Sequence, residues 1–207
     1  MIDQPDDDVA LGRQALKSKK TRDKIIQSAI SLIKEGGFSA ASASRIAERA
    51  GITWGAAQHH FGSKDDILDT VMAISHEKFT ELMASPKLRQ GSIADRVNLF
   101  VDQMWRHYQD DVYLAAMEIL LASRNTDQQR NAPIAIFEPS AREHIKTLRS
   151  IFFDSSLADD QIQEALIFIH CFLTGLTIEK VLETEVRNVD RHIRRSKLML
   201  LTILSDI

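Results

Sequence analysis

The sequence between residues 42 and 64 contains two short helical segments separated by a glycine, and this stretch constrains the fold more than any other. Ile46 and Ala50 place apolar side chains on one face of the first segment. Gly51 predicts the end of that helix, because glycine adopts the left-handed conformation without a steric penalty. Thr53 then predicts the N-cap of a second helix. The pattern is typical of a helix-turn-helix.

The second segment is short and carries small and hydrogen-bonding side chains. Gly55 and the two alanines that follow it allow close approach to another surface, and the next three residues, Gln58, His59 and His60, can all hydrogen-bond. A helix with these properties suits a DNA groove. The capping-box pattern of Ser63 and Asp66 then predicts a third, longer helix.

The stretch from Arg22 to Ile67 resembles the DNA-binding domain of the TetR family of bacterial transcriptional regulators. The matching residues are Arg22, Ile25, Ile26, Ala29, Gly37, Phe38, Ser42, Ile46, Ala47, Ala50, Gly51, Ile52, Thr53, Gly55, Phe61 and Lys64. The resemblance implies an all-α protein of about nine helices, with a C-terminal helical domain that binds a ligand and dimerises. Gln58 stands where the family usually has a tyrosine that commonly touches a phosphate. We therefore expect this protein to differ in operator sequence and affinity.

The resemblance also suggests roles for individual residues in DNA binding. Ser42 and Thr53 are expected to cap helices and to donate to phosphates, and Lys64 is expected to pair with a phosphate. Trp54 is predicted to be exposed and to stack on a sugar or a thymine methyl group, while His59 contacts a base or a phosphate. The full candidate set is Arg22, Ser42, Thr53, Trp54, Gly55, Gln58, His59, His60 and Lys64.

Adjacent histidines raise the alternative of a metal site at His59 and His60. Neighbouring helical residues diverge by about 100°, and no cysteine, aspartate or glutamate lies close to this pair in the sequence. We therefore expect neither a metal site nor a cofactor.

The charge of the chain is unevenly distributed. Residues 1–12 carry four aspartates and no base, whereas residues 13–64 carry ten lysines and arginines against three acidic residues. The remaining residues are acidic, so the net charge of the whole chain is −3. A basic block inside an acidic protein predicts a phosphate-contacting domain.

Composition excludes several other classes of protein. The chain has 207 residues, of which 44% are hydrophobic, and few runs alternate with period two, so an all-α fold is expected. A single cysteine excludes an intrachain disulfide framework. No stretch reaches the length of apolar sequence that we expect of a membrane span, and the acidic N-terminus is unlike a signal peptide. A soluble, cytosolic protein without membrane contact is predicted.

The sequence divides into three parts. Residues 1–18 are predicted to be a mobile tail, whose basic end from Arg13 to Lys20 is either a solvated linker or an arm that follows DNA. Residues 19–65 form the helix-turn-helix domain, with a first helix over about Thr21 to Glu35. Residues 66–207 form the regulatory and dimerisation domain. An apolar stripe predicts a helix over Ile67 to Leu82; the resemblance implies that this helix joins the two domains, so a ligand signal is expected to pass along it.

The last two helices predict a dimer. The helix from Gln161 to about Glu183 is apolar around nearly its whole circumference, and a partner chain is the simplest cover for it. With the final helix, Val189 to Leu204, it resembles the dimerisation face of the family. Dimerisation would present two recognition helices to a pseudo-palindromic operator in double-stranded DNA. The predicted interface residues are Ile162, Leu166, Ile169, Leu173, Leu176, Ile193, Leu200 and Leu204.

An effector site is the least defined prediction. The residues that could line an apolar cavity are Met104, Trp105, Tyr108, Met117, Phe137, His144, Phe152, Phe168 and Phe172. For each single residue, packing in the core is the favoured alternative to ligand contact. If they form a pocket, the effector is an unidentified small, mostly apolar molecule.

Two other classes of function remain as alternatives. A protein-binding module that has lost DNA affinity is supported only by Gln58. An enzyme with His107 or His144 as general base is disfavoured, because no nucleophile, carboxylate pair or phosphate loop accompanies either histidine. The prediction is a DNA-binding regulator that is not an enzyme.

Overall fold

The computed structural model describes residues 6–124, 141–182 and 188–205, with the backbone alone for residues 6–11, 13 and 141–144. Within these ranges the chain forms nine α-helices and contains no β-strand, which confirms the all-α prediction. The helices are α1 (Asp6–Gly36), α2 (Ala43–Ala50), α3 (Trp54–Phe61), α4 (Lys64–Ala84), α5 (Ile93–Tyr108), α6 (Asp111–Ser123), α7 (Ala141–Ile151), α8 (Asp159–Leu182) and α9 (Val189–Leu204). Two 3₁₀ turns occupy Phe38–Ala40 and Pro86–Arg89.

The chain forms two compact units. The first unit comprises the residues up to Ser75 together with Asp111–Ser123, and the second comprises His76–Asp110 and the residues from Arg124 onward. Helix α4 therefore begins in the first unit and ends in the second. This grouping differs from the predicted division at residue 65, because α6 packs on α1 and Lys34 pairs with Asp111 at 2.7 Å.

The first unit has one hydrophobic core, to which helix α1 contributes a complete apolar stripe. Its buried members include Ile25, Ala29 and Ile33 from α1, Ile46 from α2 and Ile67 from α4. Since the short helices α2 and α3 expose their other faces, the core holds the helix-turn-helix against α1 by apolar contact on one side.

Helix α1 begins at Asp6, so the predictions of a first helix from Thr21 and of a tail through residue 18 were wrong for residues 6–18. This segment lacks apolar periodicity, but it contains many residues of high helix propensity, which extend the helix from the packed part of α1 toward the N-terminus. Residues 1–5 of the predicted tail lie outside the described residues.

In the second unit, α5 packs against both α8 and α9. The buried face of α5 includes Val97, Phe100 and Val101, and Phe100 meets Phe152 edge to face with ring centroids 5.6 Å apart. Buried Arg96 donates to the Gly91 carbonyl oxygen at 2.6 Å and pairs with Asp154. These contacts fasten the start of α5 to the end of α7.

The predicted dimer-interface residues lie inside the protomer, so that assignment was wrong. Each is at most 9% exposed: Ile162, Leu166, Ile169, Leu173, Leu176, Ile193, Leu200 and Leu204. An apolar pattern around a whole helix does not reveal which side faces its own chain. The exposed large apolar residues of α8 and α9 are instead Ile167, Phe168, Ile178, Val181, Leu182, Leu198, Met199 and Ile203.

Helix α8 also corrects the expectation that no segment resembles a membrane span. It is the one described helix whose length and composition would allow it to cross a membrane, with a mean hydropathy of 1.7 over its most apolar window. The core helix of a soluble protein can meet the same criterion, and α8 packs against α5, α7 and α9 within the second unit. Its length and hydropathy therefore do not by themselves indicate a membrane protein.

Candidate nucleic-acid interface

The helix-turn-helix is held by its caps as the sequence predicts. Ser42 Oγ accepts from the Arg45 N–H at 3.4 Å, and Thr53 Oγ1 accepts from the Ala56 N–H at 3.2 Å. Gly51 has φ 68° and ψ 35°, which is the left-handed conformation that favours glycine. Since a helix of eight residues is unstable alone, these caps and the shared core keep α2 and α3 folded.

Helix α3 has an apolar inner face and an open outer face. Ala57 is fully buried and Phe61 is nearly so, whereas Gly55, Gln58 and His59 are exposed, as is Ala56. A Cβ added at Gly55 would meet no atom within 4 Å. The protein's own packing therefore does not require glycine at this position, and the outer face remains free for a partner.

Trp54 does not occupy the exposed position that the sequence suggested. Its side chain is half-buried and packs against the core of the first unit. Trp54 lies three residues before Ala57 and seven before Phe61, so helical geometry places all three on the inner face. Core packing therefore accounts for much of its surface, and the prediction of a freely exposed tryptophan was wrong.

Arg22 reaches from α1 to the C-terminal end of α3. Its guanidinium donates from Nη1 to the His60 carbonyl oxygen. The guanidinium carbon lies 4.0 Å from the centroid of the Phe61 ring, which is a cation–π distance. Arg22 thus caps the last turn of α3 and packs on its final aromatic residue. His60 is partly buried, with its ring centroid 5.9 Å from that of His59.

The start of α4 carries the predicted capping box. The Ser63 N–H donates to Asp66 Oδ2 at 2.8 Å, and the Asp66 N–H donates to Ser63 Oγ at 3.1 Å. Lys64, between them in sequence, places Nζ 4.6 Å from the centroid of the Phe38 ring. Its ammonium group is therefore held beside the helix-turn-helix by an aromatic side chain of the first unit.

Part of the basic block is neutralised within the protein. Arg49 makes two hydrogen bonds to Glu35, at 2.5 and 2.7 Å, and Lys34 pairs with Asp111. The hydrogen bond from Arg49 lowers the pKa of Glu35, so this carboxylate stays ionised near neutral pH. Within the stretch from residue 13 to residue 64, the exposed basic side chains that form no ion pair with a described residue are Lys17, Lys19, Lys20, Lys24 and Arg45. These residues and Lys64 are the cations best placed to meet phosphates.

The predicted effector-site residues are distributed over both units. Met117 lies in the first unit, whereas Met104, Trp105 and Tyr108 lie in the second. Phe152 is buried, Phe168 is 39% exposed and Phe172 is partly buried. Phe137 and the side chain of His144 lie outside the described residues. Aromatic composition alone could not separate core residues from cavity residues.

His170 is a residue that the sequence analysis did not single out. Its Nδ1 hydrogen-bonds with the hydroxyl of buried Tyr108, and burial lowers its pKa. The available signal was a lone imidazole on an otherwise apolar stretch of α8. Two clefts do exist in the second unit, of about 280 and 380 Å³, and neither is lined by any predicted effector-site residue.

Metal ligation finds no support among the described side chains. No group of three or more histidine, cysteine, aspartate or glutamate residues is placed to hold a metal ion in this part of the chain. The geometry of the first unit is instead that of a capped, basic helix-turn-helix with one free helix face.

Comparison with known proteins finds a family match within the first unit. The family profile described as "Bacterial regulatory proteins, tetR family" matches residues 25–71. The transcriptional regulator CymR of Pseudomonas putida is 20% identical over 185 residues, covering 89% of this chain and 91% of CymR. BetI of Escherichia coli K12, also a transcriptional regulator, is 27% identical over 190 residues, covering 88% of this chain and 94% of BetI.

A solved structure shows the same fold over most of the chain. The TetR family transcriptional regulator from Pseudomonas syringae pv. tomato DC3000 superposes with a TM-score of 0.63 at 17% identity, covering 89% of this chain and 94% of that one. The curated relatives are regulators rather than enzymes, in agreement with the expectation from the isolated histidines.

Proposed function

Because the chain belongs to the tetR family of bacterial regulatory proteins and is a transcriptional regulator with a helix-turn-helix DNA-binding domain, we propose that it acts as a repressor. In this proposal a homodimer binds a pseudo-palindromic operator in the cytoplasm, and a small molecule releases it. The observation that carries the proposal is the outer face of α3, where Gly55, Gln58 and His59 are exposed on a helix anchored through its opposite side.

We assign separate tasks to the residues around α3. Gln58 and His59 project from the exposed face, so they are the candidates for reading base edges. Ser42 and Thr53 at the two N-caps and Lys64 beside Phe38 are candidates for phosphate contacts. Arg22 is assigned a positioning role, because its guanidinium is engaged by the end of α3.

The proposed dimer uses the exposed faces of α8 and α9. Apolar side chains at Phe168 and Ile178 of α8 and at Leu198 and Ile203 of α9 are exposed in the protomer. A second copy would cover them, and two helices from each copy would form a four-helix bundle. Two α3 helices could then occupy successive major grooves, about 34–36 Å apart.

The proposed signal from the effector passes along α4. This helix begins at Lys64, immediately after the helix-turn-helix, and its last turns belong to the second unit. A ligand that favours one position of α4 would change the position of α3. The proposed effector is a small, mostly apolar molecule, as expected from the aromatic residues of the second unit.

The test is selection of DNA by the purified, intact protein from sheared genomic fragments of its source organism. We expect enrichment of a pseudo-palindrome that binds two protomers for each site. When this operator is placed before a reporter gene, increased occupancy of the operator should be accompanied by reduced transcription of the reporter. Absence of enriched fragments would contradict the proposal. That outcome would favour a protein-binding module in which Gln58 has replaced a phosphate-contacting tyrosine.

A further inference from the structure

The N-terminal part of α1 extends beyond the core of the first unit. The helix begins at Asp6, but the first buried side chain described in it is that of Ile25. Between residues 14 and 20 the side chains are exposed, apart from half-buried Ser18, and Leu16 is 62% exposed. This part of the helix therefore presents its side chains to a partner rather than to the core.

Three lysines of α1 lie in one line along the helix. Lys17, Lys20 and Lys24 are separated by three and then four residues, a spacing that places side chains on the same face. All three are exposed. At a rise of about 1.5 Å per residue, the line is about 10 Å long. One strand of duplex DNA carries about three phosphates over this length of its axis, so the lysines match them in number.

This line begins at the turn of the helix-turn-helix. Lys24 Nζ lies 3.5 Å from the point that a Cβ would occupy at Gly51, the left-handed residue that ends α2. Two residues earlier in α1, Arg22 contacts the C-terminal end of α3. Helix α1 therefore leaves the core beside α2 and α3, and the other two lysines continue the line from there.

The acidic residues of α1 leave this line positively charged. Asp23 is the single acidic residue between Asp8 and Lys24. The three aspartates at the start of the helix, Asp6–Asp8, lie where negative charge is favoured by the helix dipole. Asp8 precedes Lys17 by nine residues, or about 13 Å of helix, whereas charges are screened over about 8 Å at physiological salt. Repulsion of DNA by these aspartates is therefore weak at the lysines.

We propose that Lys17, Lys20 and Lys24 form a second DNA contact, which binds the sugar–phosphate backbone beside the groove that α3 enters. The inference rests on the proposed function and extends its DNA interface to a part of α1 outside the helix-turn-helix. A helix without tertiary contacts is only marginally stable, so binding to phosphates would also stabilise this part of α1. The contact adds affinity and carries no base preference.

The experiment compares the intact protein with a double variant, Lys17→Gln with Lys20→Gln, on the selected operator and on a random duplex of the same length. Glutamine keeps the helix propensity and removes the charge. We expect the slope of log affinity against log salt to fall by about 0.9 for each lysine in each bound protomer. The preference for the operator over the random duplex should stay the same. Hydroxyl-radical footprinting should show backbone positions that the intact protein protects and the variant leaves open.

Two further variants separate charge from position. Lys87→Gln with Lys146→Gln removes the same charge from exposed sites in the second unit, so the salt slope should not change. Thr21→Pro keeps every lysine but interrupts α1 between the core and the lysines at positions 17 and 20. It should weaken binding to both duplexes, because these two lysines lose their fixed position. None of the altered side chains is buried, so the free energy of unfolding should stay nearly the same.

Three results would overturn the inference. The first is an unchanged salt slope in the double variant, and the second is an equal loss of slope in the control from the second unit. The third is unchanged binding by Thr21→Pro, which would show that the lysines act as a flexible arm and not as a helical line. If the intact protein selects an operator and any of these results is found, only this inference fails. If the intact protein binds neither duplex, the proposed function fails with it.

Discussion

Arg22 is a basic residue of the first unit whose guanidinium contacts another helix of the protein. The sequence predicted that Arg22 contacts DNA. In the structure its guanidinium instead donates to the His60 carbonyl oxygen and lies over the Phe61 ring. Both contacts lie at the end of α3, so they fix where the recognition helix stops and how it lies against α1. By contrast, Lys24 on the same helix is exposed and forms no ion pair with a described residue.

The Arg22→Met variant should therefore lose stability and affinity together. Loss of the charged hydrogen bond and the cation–π contact should cost about 1–3 kcal/mol in the free energy of unfolding. Operator binding should weaken while its salt dependence stays the same, because no phosphate contact is lost. Chemical denaturation and DNA titration at several salt concentrations measure these effects.

Lys24→Met is the matched control for this prediction. It should leave stability nearly unchanged, and if Lys24 meets a phosphate it should reduce the salt slope by about 0.9. A reduced slope for Arg22→Met without loss of stability would contradict the positioning role and restore Arg22 as a direct phosphate contact.

Gly55 permits a test that separates folding from binding. Its position has open space for a Cβ, so Gly55→Ala should keep the free energy of unfolding or raise it by up to about 1 kcal/mol through helix propensity. We expect the same variant to bind its operator more weakly, because the added methyl group lies on the face proposed to enter the groove. Unchanged operator affinity would show that α3 does not approach DNA closely at Gly55.

At the scale of the helices, the capping residues could be predicted from the sequence, whereas the buried face of each helix could not. Ser42, Gly51, Thr53 and the Ser63–Asp66 box all occupy the predicted positions, because capping depends on side chains within three or four residues. The burial of Trp54 depended instead on which side of α3 packs against the core. That information comes from long-range packing, which a local pattern does not contain.

Helices α1 and α8 show two further limits of prediction. The start of α1 lies in a segment with good helix propensity but no apolar stripe, so periodicity missed fifteen residues of helix between Asp6 and Thr21. In α8 the apolar residues surround the helix, so the sequence predicted that the helix is covered without revealing which face its own chain covers.

The revised dimer face makes a prediction about α8. Replacing Phe168 and Ile178 with glutamate should give folded monomers with weaker operator binding, because both side chains are exposed in the protomer. Sedimentation measures the oligomeric state, and circular dichroism reports folding.

Leu173→Ala is the contrasting variant on the same helix. Leu173 is fully buried within the protomer, so its truncation should cost about 2–5 kcal/mol in the free energy of unfolding. If the glutamate double variant remains a dimer, the interface lies elsewhere on the molecule.

At the scale of the whole molecule, the basic residues are concentrated in the part of the chain that contains the helix-turn-helix. The stretch from residue 13 to residue 64 carries an excess of seven positive charges, whereas the chain as a whole is acidic. Pairing with Glu35 and Asp111 neutralises two of the basic residues of this stretch, and its other exposed basic residues belong to the first unit. An acidic remainder should disfavour approach to DNA by any other surface.

DNA recognition by α3 and its flanking cations is tested most directly by the operator affinity of the intact protein and of two variants, Lys64→Ala and His59→Ala, measured against salt concentration. We expect a steep linear fall of log affinity with log salt, a slope reduced by about 1 in Lys64→Ala for all sequences, and altered base preference in His59→Ala. Salt-insensitive binding, or identical effects of the two variants, would contradict DNA recognition by α3 and its flanking cations.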